Sequence, residues 1–146
     1  MSQLTFPIQL GELKLAVVVG LHHQAMVDRL TAGLPLAAPI WTKGVIDTGS
    51  TITSIAADVI QNLGLPPVSQ TSTQTAAGPV PARLFRVSLS IPPAGNLPEP
   101  MLTRGNLIVM ELSDPIPDVE VPIGLDILLD CRLLFDGPGR QFTLEF

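Results

Sequence analysis

An acid at the end of an apolar run is the first feature of this chain that could do chemistry. In Val45-Ile46-Asp47-Thr48-Gly49-Ser50 a carboxylate stands where a buried strand gives way to a turn. Burying a carboxylate there is costly unless hydrogen bonds or a shared charge arrangement compensate. Gly49 lets the backbone approach closely enough for amides to point at the carboxylate. Thr48 offers a hydroxyl that can lock the loop. Taken alone the tripeptide is a weak signal, and an Asp capping a β-turn is its plainer reading.

Other chemistry-bearing residues have bland readings. His22-His23 has no Cys or acid cluster nearby in sequence, and adjacent strand residues point to opposite faces, so a solvated loop fits better than a metal site or a base. Asp114, Asp118 and Glu120 lack the dense oxygen spacing of a calcium site and read as an acidic loop. Cys131, the one cysteine, rules out an internal disulfide and reads as a buried thiol. Trp41 precedes the Asp47 strand and reads as core, and Asp126 as the cap of a helical turn. Neither a phosphate-binding glycine loop nor a Ser-His-Asp signature occurs. No metal or cofactor is expected.

The elements that must position Asp47 are short strands. Fifteen prolines and twelve glycines separate segments of alternating polarity, the profile of an all-β domain. Leu4, Phe6, Ile8 and Leu10 alternate with polar residues, as do Leu13, Leu15, Val17 and Val19, so residues 4–19 are expected to form a hairpin, with Pro7 marking an edge. Residues 20–39 fit one helical turn or a long surface loop. Residues 40–46 form the strand into Asp47, and 51–55 another. Ile55, Val59 and Leu63 recur at helical spacing, and Gly64 is placed to cap that helix. Residues 70–91 read as a second hairpin with its tip near Gly78. Residues 92–100 are a loop, 106–112 an apolar strand and 121–123 a short buried strand. One or two helical turns follow at 125–129, then strands at 132–135 and 142–146.

Composition narrows the partners. The chain is one domain, residues 1–146, long enough for a real core. It is 46% hydrophobic and only 14% charged, so self-association is an ordinary way to cover its surplus apolar surface. A net charge of −5 argues against nucleic acid or an anionic membrane as partner. No stretch approaches the roughly 18 apolar residues that span a bilayer, and the first ten residues lack the pattern of a signal peptide. With a lone cysteine, the cytoplasm is the expected compartment.

The order of these segments resembles the retropepsin-like aspartic peptidases, the retroviral and retrotransposon proteases with their cellular and bacterial relatives. The resemblance rests on Val45-Ile46-Asp47-Thr48-Gly49-Ser50, the helix ending Asn62-Leu63-Gly64-Leu65, the hairpin with a small-residue tip, and Val121-Pro122-Ile123-Gly124-Leu125-Asp126. It covers roughly residues 13–19 and 40–146. It implies a closed, all-β acid protease fold with one short helix after the Asp-Thr-Gly turn, a helical turn after the second Gly element, and a flap hairpin. It implies that Asp47 is the catalytic aspartate, that Thr48 bonds its twin across a dimer, and that Gly49 presents an amide to the carboxylate. Ser50 and the flap tip, Thr75, Ala76, Ala77, Gly78 and Pro79, would meet substrate. Retroviral members often carry an Asp–Arg pair where this chain has Thr51 and Leu125, which points to the cellular or bacterial branch. Ser50 replaces a frequent Ala and could donate to Asp47.

Peptide hydrolysis of this kind needs one ionised and one protonated carboxyl group. None of Asp28, Asp58, Asp114, Asp118, Asp126, Asp130 or Asp136 is followed by Thr/Ser-Gly, so the second carboxylate is expected from another copy. The implied activity is a homodimeric endopeptidase acting on polypeptides. The alternative is a non-catalytic dimeric module that binds peptides with the same fold. The apolar C-terminal strand, 141–146, is expected to pair across the two-fold axis, with residues 4–10 as a further partner.

Overall fold

A computed structural model describes residues 1–95 and 100–146; four residues of the expected loop at 92–100, residues 96–99, lie outside the described residues. Ten strands and three helices follow in the order β1 (Gln3–Pro7), β2 (Lys14–Gly20), α1 (His23–Thr31), β3 (Ile40–Ile46), β4 (Ser54–Ala56), α2 (Ala57–Leu63), β5 (Ser69–Thr75), β6 (Gly78–Ile91), β7 (Leu102–Leu112), β8 (Val121–Ile123), α3 (Leu125–Leu128), β9 (Arg132–Asp136) and β10 (Gln141–Glu145). The all-β expectation holds, as do the short helix after the Asp47 turn and the helical turn after Gly124.

The strands form two sheets. The larger has seven strands in the order β4-β7-β6-β2-β3-β8, with β5 paired to β6. The smaller has three, β1-β10-β9. Side chains that alternate inward from both meet in one core, which includes Leu15, Val17, Val19, Phe85, Val87, Leu89, Val121 and Ile123 from the larger sheet and Leu4, Phe6, Phe142 and Leu144 from the smaller. Period-two patterning is thus read out as burial, the main source of stability in such a domain.

The first hairpin is not formed. The chain does turn at Leu10 and Gly11, both with positive φ, and a single bridge joins Gln9 to Glu12. Beyond it the strands part: β2 pairs with β3 and β6, whereas β1 pairs with β10 in the register Leu4↔Leu144 and Phe6↔Phe142. Alternation fixes which side chains face inward but not which strand lies alongside. The same pairing overturns the expectation for the C-terminal strand. Both edges of β10 are occupied within the chain, by β1 and β9, and Phe142 and Leu144 are fully buried in its own core.

Residues 20–39, which fit either a helical turn or a loop, hold α1. His22 is its N-cap rather than part of a strand or loop: its Nδ1 accepts the Ala25 amide at 3.4 Å. Arg29 donates to the carbonyls of Leu63 (2.7 Å) and Gly64 (3.1 Å), so α1 closes the C-terminus of α2. Gly64 ends α2 with a φ of 65°, a conformation that favours glycine. Trp41 corrects another expectation. It is 66% exposed, because β3 turns Trp41 and Lys43 outward while Gly44 packs inward.

Candidate active site

β3 delivers the acid. It runs parallel to β8 in the register Gly44↔Val121, Val45↔Pro122 and Ile46↔Ile123, and the Asp47 amide continues the ladder by donating to the Ile123 carbonyl at 2.9 Å. Gly44 is needed for this approach: a Cβ there would lie 2.6 Å from Val17 Cγ2 and 3.1 Å from the Val121 carbonyl oxygen. The strand then turns. The Ser50 amide donates to the Asp47 carbonyl at 3.2 Å, and the Gly49 amide donates to Asp47 Oδ1 at 3.1 Å. The amide expected at Gly49 is therefore in place. Asp47 is half-buried, while Thr48 and Gly49 are exposed, so the carboxylate opens toward the surface.

A buried clamp fixes the far side of the loop. Thr53, fully buried, donates its hydroxyl to Asp126 Oδ1 (2.7 Å) and its amide to Asp126 Oδ2 (3.0 Å). The Gly124 amide donates to Thr53 Oγ1 at 3.0 Å, and the Leu125 amide to the Ser50 carbonyl at 2.8 Å. Asp126 also accepts the Ile127 amide, but it does not cap α3 as expected: it lies within the helix, whose N-cap is Gly124 with no side-chain cap bond, and instead it ties α3 to the loop. Gly124 is packed so closely that a Cβ would meet Ile52 and Ser50 backbone atoms at 2.7–2.9 Å. Thr53 carries no local signal of this role. Residues 51–55 read as strand, but only Ser54–Ala56 is strand, because the Thr53 amide and hydroxyl are committed to Asp126.

Ser50 does not act on Asp47 as expected. Its hydroxyl proton goes to the Ile52 carbonyl at 2.7 Å, and a hydroxyl has only one proton to donate.

A cleft of about 460 Å³ lies beside the loop, lined by Gly49, Ser50, Thr51 and Ile52 on one wall and Thr71, Ser72, Thr73 and Gln74 of β5 on the other. The β5–β6 hairpin supplying that second wall turns at Ala76-Ala77, as expected. Thr75 Oγ1 donates to the Gly78 carbonyl (2.6 Å) and accepts the Ala77 amide (3.3 Å), which closes the tip. Gly78 has a φ of 109°, strained for any other residue. The shaft, not the tip residues Thr75, Ala76, Ala77, Gly78 and Pro79, lines the cleft.

Among the described residues, His22 and Cys131 titrate away from their usual ranges. His22 is lowered, first by partial burial and then by the Arg86 charge, with Asp28 opposing. Cys131, a free and half-buried thiol, is raised mainly by burial. Among the described residues no group of three or more His, Cys, Asp or Glu is placed to hold a metal ion. No helix among them is long and apolar enough to cross a membrane.

The geometry agrees with what the chain resembles. A family model described as aspartyl protease matches residues 40–111, from the start of β3 almost to the end of β7. Among solved structures, a retropepsin-like aspartic protease from Rickettsia conorii matches with a TM-score of 0.58, covering 97% of this chain and 89% of that one at 12% identity. The chain has the retropepsin-like aspartic protease fold. No curated protein matches its sequence. At such low identity the likeness carries the architecture alone. In this retropepsin-like chain the second Gly element occupies the place expected for it, as β8 beside the Asp47 strand.

Proposed function

We propose that the chain is an aspartic endopeptidase whose catalytic centre is completed by a second copy. The observation that carries this reading is the Asp47 carboxylate itself. It is half-buried, held by the Gly49 amide, in a loop whose following residues, Gly49 to Ile52, line a cleft shared with β5. A single chain places one Asp-Thr-Gly at that cleft, and one carboxyl group cannot be base and acid at once.

In the dimer, two Asp47 carboxyl groups about 3 Å apart would hold one proton between them. The ionised one takes a proton from water as the water oxygen attacks the scissile carbonyl carbon. The protonated one gives its proton to the carbonyl oxygen. The resulting diol collapses as the C–N bond breaks and a proton passes to the leaving nitrogen. Gly49 holds the carboxylate, and the exposed Thr48 bonds its twin, fixing the two loops together. An extended polypeptide lies in the cleft, between Ser50 on one wall and Thr71, Ser72, Thr73 and Gln74 on the other. The tip residues Thr75, Ala76, Ala77, Gly78 and Pro79 close over it as a flap. A free Cys131 suits a reducing compartment such as the cytoplasm.

The test is cleavage of unfolded casein by the wild-type chain and by Asp47→Asn. An amide cannot take the water proton, so the variant should lose about 10²–10⁴-fold in rate while its circular dichroism stays native. Wild-type cleavage should also be blocked by a statine-type inhibitor. Comparable cleavage by Asp47→Asn would remove Asp47 from the chemistry. Peptide binding without cleavage by the wild type would point to the non-catalytic module.

A further inference from the structure

The long strand β6 carries one charge on its half-buried face. Residues two apart on a strand share a face, so Leu84, Arg86, Ser88 and Ser90 follow one another there, each half-buried, while Phe85, Val87, Leu89 and Ile91 enter the core. Leu84 lines the cleft beside the Asp47 loop. One step along the face, Arg86 lines a separate hollow of about 330 Å³, together with His22, His23 and Gln24 from the start of α1 and Asn106 of β7. The hollow and the cleft have no lining residue in common.

Arg86 differs from the other strand arginines. Arg83, Arg104 and Arg132 each meet a carboxylate, at 2.7, 2.9 and 3.6 Å. Among the described residues no carboxylate lies within ion-pair distance of Arg86, in a chain whose net charge is −5. Its Nη1 donates to the neutral Asn106 Oδ1 at 2.7 Å, and a guanidinium has five N–H groups to place. Its neighbours add donors. His22 Nδ1 accepts the Ala25 amide, so the neutral ring carries its proton on Nε2. Asn106 commits its carbonyl oxygen to Arg86 and keeps its amide hydrogens. None of the five lining residues is acidic. Asp28, one turn along α1, accepts Gln24 Nε2 at 2.8 Å, and at His22 its pull is weaker than the push of Arg86. A half-buried cation without a counter-ion, set among hydrogen-bond donors, is an environment that favours an anion.

We infer that the hollow between α1, β6 and β7 binds an oxyanion, the phosphate or carboxylate group of a small molecule, with the Arg86 guanidinium as its charged partner and the His22 Nε2–H and the Asn106 amide as further donors. The planar fork of an arginine suits such a group, because two parallel N–H···O bonds can form at once. Pockets for small molecules begin at about 300 Å³, so the hollow has room for a body behind the anionic head. The inference goes beyond the peptidase reading and does not depend on it. A bound oxyanion would join α1 directly to β6 and β7, the helix being held otherwise by His22 at one end and Arg29 at the other.

Inorganic phosphate and acetate are the probes, each titrated into the full chain at fixed ionic strength with sodium chloride as the control, while NMR follows the His22 ring signals. The wild type should give a saturable shift with phosphate, acetate or both, and none with chloride. The probe with the lower dissociation constant identifies the head group that the site takes. R86Q keeps hydrogen-bonding groups but removes the charge, and it should raise that constant about tenfold or more. N106D guards against a folding defect. It places a carboxylate where the Asn106 carbonyl oxygen meets the guanidinium, so the chain supplies its own anion. The saturable shift should then disappear while circular dichroism stays native and the urea midpoint does not fall. Wild-type dissociation constants in folded R86Q or in N106D overturn the inference. So does a chloride titration that reproduces the shift, which would be charge screening alone, and so does the absence of a saturable shift with either probe at millimolar concentration.

Discussion

At the scale of single residues, the site divides into groups that a local motif reveals and groups that only folding brings together. Asp47, Thr48 and Gly49 are legible because their chemistry is local: the Gly49 amide reaches a carboxylate two residues before it. Thr53 is different. Its partners Asp126 and Gly124 lie far along the chain, at separations of 73 and 71 residues. No spacing rule links them, so Thr53 passes for an ordinary β-branched strand residue and Asp126 for a simple cap. Ser50 shows the same limit, since its hydroxyl has a nearer acceptor in Ile52. The clamp is also where a conservative change should be costly. Thr53→Val keeps shape but strips a buried donor and acceptor, leaving Asp126 and the Gly124 amide short of a partner. The expected loss is about 1–3 kcal/mol of stability, with a larger proportional loss of any peptidase rate as the loop loosens. Urea unfolding monitored by circular dichroism measures the first. An unchanged midpoint would show that water or another group replaces the hydroxyl.

At the scale of elements, strands with strict alternation are legible and the helix before the site is not. α1 buries Ala25 as its only fully covered residue, so its apolar periodicity is too faint to separate from a loop. What holds it is terminal: His22 at one end and the Arg29 guanidinium reaching α2 at the other. The His22 cap titrates. Its Nδ1 accepts a backbone amide, so it must be neutral to cap, and its pKa lies below the ordinary value of 6.5 because partial burial and Arg86 disfavour the cation, against the opposing pull of Asp28. The unfolded chain therefore takes up this proton first as pH falls. The contribution of His22 is fully present above about pH 6.5 and declines as pH drops from there through the folded-state pKa. Asparagine caps without titrating. Stability in urea, compared between about pH 8 and about pH 5, should fall less in His22→Asn than in the wild type. Equal falls would mean that other groups carry the acid sensitivity.

At the scale of the whole molecule, alternation shows which faces are buried but not how two sheets share the strands. Phe142, Leu144 and Phe146 read in sequence as an apolar face seeking a partner chain. That face has a partner within its own chain, because β1 returns from the opposite terminus to pair with β10 and close the core from below. Such pairing joins residues nearly the full chain length apart, as in Leu4↔Leu144, and no local pattern encodes it. The consequence is a different outcome for a C-terminal truncation. Deleting residues 141–146 removes the middle strand of the smaller sheet, leaves β1 and β9 without a neighbour, and uncovers Leu4 and Phe6. Four large side chains, each contributing about 1.5–3 kcal/mol when fully buried, would lose their place. Together that is about 6–12 kcal/mol, against a typical total stability of about 5–15 kcal/mol. The truncated chain should therefore fail to fold rather than become a folded monomer. Circular dichroism should show no cooperative urea transition. A truncated chain that unfolds cooperatively near the wild-type midpoint would show that the larger sheet stands without the smaller one.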